Sequence, residues 1–408
     1  MDSVEKQLLY CLEAYRLGRP AAKVVPGLGA EDWHRLRMLA GTHKMGPMVF
    51  ETLWSTQGFC GTDKGLAAAW RRDTMLQAAG QTMCSSRIVA ITAALEEAGV
   101  PYALLKGLVC RELYTRPDLR PSGDEDVLIR PADRQKCQEV LQQCGLQMVM
   151  GDENVTHWRD SLSGLHIELH SRLLSGAHPE EEELNARMMQ QLDHTVTVPV
   201  SGGTVQSLAP TWHFVFLVCH ALKHFLTGGV GVRTLCDVVS FAEHYKDEID
   251  VPTVEKMLEG IHGRVFLDQI LAMGQIWLSF DPAAAGWTYS GRPDPDSMIE
   301  DCLDAGVYGQ SSMSRKHSAE LVLQATDSGS THVRLGSVLF PARKDMLRRY
   351  PELERWPVLL PVCWCRRLGT YAGEVLRSKG DGNSPLESVT MGRKRARMMQ
   401  KYGIDFKK

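Results

Sequence analysis

The sequence predicts an α+β protein: a small mixed β-sheet held between helical regions at both ends of the chain. Three observations carry this. Residues 3–17, 31–41 and 64–98 repeat apolar side chains at helical spacing, and no strand pattern precedes Tyr102. Between residues 96 and 208, short apolar runs alternate with turn signals and single helices. After Ala209-Pro210, helical spacing returns. The expected divisions are 1–95, 96–208, 209–340 and a basic helical segment and tail over 341–408.

Taken in order, the Ala-rich stretch from Gly65 to Ala98 reads as one long helix or two, stopped by Gly99-Val100-Pro101. Tyr102–Leu105 reads as a strand, Leu108–Tyr114 as a helix and Glu125–Ile129 as a second strand. Ala132–Cys144 is helical with Gly145 as its cap, and Leu146–Met150 is extended. Val155–Asp160 and Leu165–His170 form a hairpin across Ser161-Leu162-Ser163-Gly164. A second hairpin joins Thr195–Val200 to Thr204–Leu208. Helices follow over Trp212–Leu226, Val232–His244, Val254–Glu259 and Phe266–Leu278. Pro282–Pro295 reads as a loop and Ser311–Ser330 as a mobile stretch with a helix inside it. Trp356–Trp364 reads as a core or docking helix, and the Gly/Ser/Pro-rich Ser378–Ser388 leads into a basic helical end.

With 408 residues, 44% of them hydrophobic and 23% charged, the chain has the composition of a soluble globular protein with a sizeable core. Charge is uneven: from Pro341 onward there are 16 Lys and Arg against 7 Asp and Glu, in a chain of net charge −3. That basic end suits either a solvated helix face or an anionic partner. The 11 cysteines show no Cys-x-x-Cys spacing, which points to a reducing cytoplasm. The start of the chain lacks a signal-peptide pattern, and its apolar runs are too short to span a bilayer.

The chemistry concentrates in Pro121-Ser122-Gly123-Asp124-Glu125-Asp126. A turn feeds a short strand that opens on two carboxylates spaced i, i+2, and strand alternation puts both on one face. Such a pair suits Mg²⁺ held together with substrate phosphates. In Leu165-His166-Ile167-Glu168-Leu169-His170 the polar residues share one strand face, so pairing beside Val127–Ile129 would bring Glu168 to Asp124 and Asp126. Three carboxylates and triphosphate oxygens can hold two metal ions for an in-line displacement. Lys106 and Arg120 would offset phosphate charge.

Lys106-Gly107, Arg120, Gly123-Asp124-Glu125-Asp126 and Ile167-Glu168-Leu169-His170 together resemble the uncharacterised bacterial branch of the polymerase-β-type nucleotidyltransferase superfamily. The resemblance runs over about residues 96–245, through His213, His220, His224 and Arg233-Thr234-Leu235-Cys236-Asp237. It implies that 96–208 is the catalytic domain and that Asp124, Asp126 and Glu168 bind metal. Glu168 completes the metal site or activates the attacking hydroxyl. It also implies a nucleotide cradle at Lys106, Gly107, Arg120, Ser122 and Gly123, with Mg²⁺ or Mn²⁺ as cofactor and an NTP, ATP foremost, as substrate. The acceptor stays open among a small molecule, a protein side chain and an RNA end.

Two departures from the superfamily stand out. The turn before the carboxylates is Lys106-Gly107 rather than Gly-Ser or Gly-Gly, so Lys106 would act as a point charge in place of backbone N–H groups. Glu125 stands where an apolar residue is usual, and should be exposed or salt-bridged on the opposite sheet face.

His213, His220 and His224 share a helix face, as packing groups, an acceptor wall or metal ligands, with His170 and Arg233 also on the acceptor or phosphate side. Arg233 and Asp237, i and i+4, suggest an internal ion pair, and His166-x-Glu168-x-His170 an alternative zinc or iron chelate. Two rival functions stand beside nucleotidyl transfer: a metal-dependent glycosyltransferase using Asp-x-Asp, and a non-catalytic nucleotide-binding module on the same core.

Overall fold

The computed structural model describes residues 1–60, 63–174, 179–306, 343–347, 350–377 and 385–403. They fall into two units: Met1–Lys223 with Gly231–Leu303, and His224–Val230 with Asp304–Lys408.

The first unit opens with helices. Ser3–Arg16 starts on a capping box, in which Asp2 accepts from the Val4 and Glu5 N–H groups while Glu5 reaches back to the Asp2 N–H. Ala30–Thr42 follows. Gly46–Leu53, a helix the spacing did not reveal, begins with Pro47, whose fixed φ suits a first turn. Lys64–Glu97 is one continuous helix of 34 residues, which settles the choice between one helix and two. Asp63 caps it, accepting from Gly65 and Leu66 N–H. No strand precedes Tyr102 among the described residues.

The mixed sheet then appears: β1 (Tyr102–Leu105), β2 (Glu125–Ile129), β3 (Gln147–Gly151), β4 (Val155–Arg159) and β5 (His166–His170), in spatial order β1-β2-β5-β4-β3. Only β2 and β5 run parallel. A separate hairpin joins β6 (Val196–Val200) to β7 (Gly203–Ser207). One sheet face is apolar: Val127, Ile129, Trp158, Ile167 and Leu169 pack with Ile88, Ile91 and Leu95 of the long helix and with Cys137 and Leu141 of the Arg134–Gln143 helix. The alternating strands therefore have one side on this core, leaving Asp126, Glu168 and His170 on the other.

A further helix not evident from the sequence, Pro179–Gln190, carries Glu180, Glu181 and Glu182 in its first turn, where the helix dipole favours negative charge. Pro210–Thr227, Val232–His244, Val251–Glu259 and Gly263–Trp277 follow within a residue or three of expectation.

In the second unit, Met346, Tyr350, Leu353 and Cys363 make a small core. The helix Leu360–Arg377 begins inside the expected Trp356–Trp364 segment, with Cys363 buried and Trp356 exposed. The basic helix Pro385–Lys401 exposes Arg393, Lys394 and Arg397, whereas Arg395 is buried, donates to the Phe225 carbonyl and lies over its ring. The 311–330 stretch and Ser378–Ser384 lie outside the described residues. No helix among the described residues is long and apolar enough to cross a membrane.

Candidate active site

Strand register assembles the site. In the parallel pair β2–β5, Asp126 stands opposite Glu168, and in the antiparallel pair β1–β2, Leu105 stands opposite Asp126. The residue after Leu105 is Lys106, which is thereby delivered to the carboxylates. Its Nζ lies 2.6 Å from Asp126 Oδ2, 3.2 Å from Asp124 Oδ2 and 3.2 Å from His220 Nε2. His170 closes the other side, with Nε2 2.9 Å from Asp126 Oδ1 and 3.5 Å from Glu168 Oε2. Four of the residues expected in one cluster from sequence, Lys106, Asp124, Asp126 and Glu168, thus converge, together with His170 and His220.

The charges here are mutually adjusted. Burial pushes the Glu168 carboxyl up, but the hydrogen bond from His170 and the nearby Lys106 outweigh it, and Glu168 ends below its ordinary value. Burial likewise opposes a charged His170, yet its contacts to Asp126 and Glu168 prevail and raise it. Asp126 Oδ2 is fully buried, with the Lys106 ammonium 2.6 Å away as its counter-charge. Hard carboxylate oxygens gathered around one ammonium are a donor set that a divalent cation could share or take over.

The backbone beneath Lys106 is strained. Lys106 has φ +48° and ψ −127°, and Gly107 has φ +28°. Three side chains hold this turn. The Lys106 N–H donates to His213 Nε2 at 3.0 Å. His213 Nδ1 is 3.0 Å from Ser207 Oγ, which itself donates to the Leu104 carbonyl at 2.8 Å. The chain of donors assigns the remaining proton to Nδ1 of a neutral His213. Burial fits this, pushing His213 down to about 3.

Glu125 is the third. It faces the core side of the sheet as expected, and of the two expected states, exposed or salt-bridged, it takes the second: it is buried (1% exposed) and paired. Its carboxylate accepts from the Leu108 N–H at 2.7 Å and pairs with Arg111 at 2.8 Å. Burial raises the Glu125 carboxyl, and Arg111 and the Leu108 N–H partly offset that. Arg111 is held in turn by Ser85 Oγ at 2.8 Å. A Cβ on Gly107 would stand 1.9 Å from Glu125 Oε2, so the glycine is required by the carboxylate tucked against it. Because the Lys106 and Leu108 N–H groups are engaged internally, the ammonium of Lys106 is the cation this turn presents.

Arg120 differs from its expected place on substrate phosphates. It is buried, and its guanidinium forms a two-pronged pair with Asp237, Nε 3.1 Å from Oδ1, with Tyr114 donating to the same carboxylate at 2.9 Å. Asp237 therefore pairs with Arg120, and the expected Arg233–Asp237 pairing gives way to Arg233 donating to the Pro121 carbonyl at 2.9 Å. Both arginines brace the turn that carries Asp124. Ser122 braces it too, its N–H donating to Gln81 Oε1 and its hydroxyl to the Asp124 carbonyl, each at 2.8 Å. Gly123 is exposed at the tip. His224 falls on the last turn of the Pro210–Thr227 helix, in the second unit.

Sequence reading missed Gln81, Ser85, Arg111, Tyr114 and Ser207 as supports. Polar residues on the apolar face of the long helix were the available signal for Gln81 and Ser85. The imagined chelate from one strand also divides: among the described residues, His170 groups with Asp126 and Glu168, whereas His166 groups with His157 and Glu168.

A three-strand mouth gathers paired carboxylates, a third carboxylate one strand over and a cation at the preceding turn, a donor set suited to divalent cations and phosphates. The family model for uncharacterised nucleotidyltransferases matches residues 29–279, and the chain belongs to that family. No curated protein and no solved structure matches the chain.

Proposed function

We propose that the protein transfers a nucleoside monophosphate from an NTP, with ATP the expected donor, to an acceptor hydroxyl. The acceptor oxygen bonds to the α-phosphorus, the bond to the β-phosphate bridging oxygen breaks, and pyrophosphate leaves with that electron pair. The observation that carries this reading is the register: Asp126 beside Glu168, with Asp124 and Lys106 within one ion-pair shell.

The buried Asp126 oxygen and the hard carboxylate donors fit Mg²⁺ or Mn²⁺, held by Asp124, Asp126 and Glu168. When bound, the metal supplies positive charge for the phosphates and the leaving pyrophosphate. Lys106, released from the carboxylates, grips phosphate oxygens as a point charge. Glu168, kept ionised, accepts the proton of the attacking hydroxyl, and His170 holds Glu168 and Asp126 in place. Arg120, Arg233 and Ser122 keep the Asp124 turn rigid, and His220, 3.2 Å from Lys106 Nζ, stands beside the phosphate-facing ammonium. The acceptor is a small molecule, a protein side chain or an RNA end, and the exposed Arg393, Lys394 and Arg397 suit an anionic partner.

The test is metal-dependent pyrophosphate release from labelled NTPs across an acceptor panel or cell lysate, with mass spectrometry for the added nucleotide. Asp124→Asn and Asp126→Asn should each lower the rate at least about 100-fold. Wild-type rates in both would refute the reading.

A non-catalytic nucleotide-binding module has one observation in its favour, since Lys106 Nζ already neutralises Asp124 and Asp126. It predicts NTP binding that is indifferent to Mg²⁺ and never yields pyrophosphate. The glycosyltransferase alternative needs a nucleotide-binding α/β half before the motif, and the described residues before β1 form helices without a strand.

A further inference from the structure

On the same polar sheet face, one strand further from β2, His157 of β4 stands opposite Glu168 of β5, with His166 two residues before Glu168. His157 Nδ1 is 3.5 Å from Glu168 Oε1, and the His157 and His166 rings stack with centroids 5.4 Å apart and planes 16° apart. One ligand atom from each of the three residues lies within 4.8 Å of the others. A tetrahedral ion with bonds of about 2.0–2.1 Å separates its ligand atoms by about 3.4 Å; the His157–Glu168 pair already stands at 3.5 Å, and His166 would close in from within 4.8 Å. The three side chains are half-buried and lie on the face opposite the apolar core. Arg159, the register partner of His166, is solvent-exposed, where water screens its charge.

We propose that His157, His166 and Glu168 form a second divalent-metal site, selective for an imidazole-preferring transition ion of the Zn²⁺ or Co²⁺ class. Two nitrogen donors and one carboxylate favour such ions over Mg²⁺, which demands oxygen. Three protein ligands leave a fourth position for water or a substrate atom. Glu168 belongs to both clusters, so an ion on the histidine pair draws it from Asp126 and His170. Binding itself does not depend on the nucleotidyl-transfer reading.

The probe is Co²⁺ titrated into the metal-free full-length protein and followed by visible d–d absorption. One Co²⁺ per chain is expected, displaced by Zn²⁺ and resistant to an equal concentration of Mg²⁺. His157→Ala and His166→Ala should each weaken binding at least about 10-fold, with the melting temperature reporting intact folding. His194→Ala, a change at an exposed histidine elsewhere, should leave it unchanged. His157→Gln and His166→Gln replace any alanine variant that fails to fold. Absence of a stoichiometric band in the wild-type protein, a thiolate-to-cobalt charge-transfer band in its place, or wild-type affinity in the His157→Gln/His166→Gln double variant would each overturn the proposal.

Discussion

Gly107 is the residue at which the site tolerates least change. Its positive φ alone makes a side chain costly, and the Glu125 carboxylate occupies the space a Cβ would need. Gly107→Ala should therefore lower stability by about 1–3 kcal/mol more than Gly145→Ala, where φ is +86° but the space is open. Chemical denaturation of the two variants decides it. Arg111→Met would strand the buried Glu125 charge and cost about 3–5 kcal/mol, whereas a loss below about 1 kcal/mol would show the pair to be dispensable.

His213 gives a pH signature. Its folded pKa is about 3, below the ordinary 6.5, so the unfolded chain takes up the proton first on acidification. The stability linked to neutral His213 is present above about 6.5 and falls by up to about 1.4 kcal/mol per pH unit down to about 3. His213→Gln should be less stable at neutral pH yet show a flatter acid dependence in that window. An unchanged slope would remove His213 from the account.

At the scale of elements, the site depends on pairing that brings distant segments together. β2 and β5 are parallel although the Arg134–Gln143 helix and two strands lie between them in sequence. A shift of β5 by one residue would turn Glu168 and His170 into the core and expose Ile167 and Leu169. The Val232–His244 helix acts as a clamp through Asp237, which binds Arg120 and Tyr114. Asp237→Ala should cost about 3–5 kcal/mol by leaving Arg120 buried without its partner, and Asp237→Asn should cost less. Equal melting temperatures for the two variants would mean that the pair adds little beyond packing.

For the whole molecule, the question is what the carboxylates hold. If a hard divalent cation joins Asp126 and Glu168, Mg²⁺ with NTP should raise the melting temperature, and chelation by EDTA should return it to the metal-free value. Asp126→Asn should abolish that increment. An increment that persisted in the variant would place the ion elsewhere.

The order and type of the strands, and of the helices between β1 and β5, were legible because they depend on local rules, whereas the Pro179–Gln190 helix was not. Apolar spacing marked the helices, Gly and Pro marked their ends, and strand alternation put Asp124 with Asp126 and Glu168 with His170. The same alternation placed Glu125 on the opposite face. Partner choice was not legible. That Asp237 would pair with Arg120 across more than a hundred residues, that Glu125 would be buried against Arg111, and that His213 would hold the Lys106 turn all follow from which surfaces the packed helices present to the sheet. The sequence by itself determined which carboxylates share a strand face and which side chains carry charge, since strand period and side-chain chemistry are local properties. Tertiary structure alone decided which of them meet and which serve as braces, because buried charges take the partner that three-dimensional packing brings within reach.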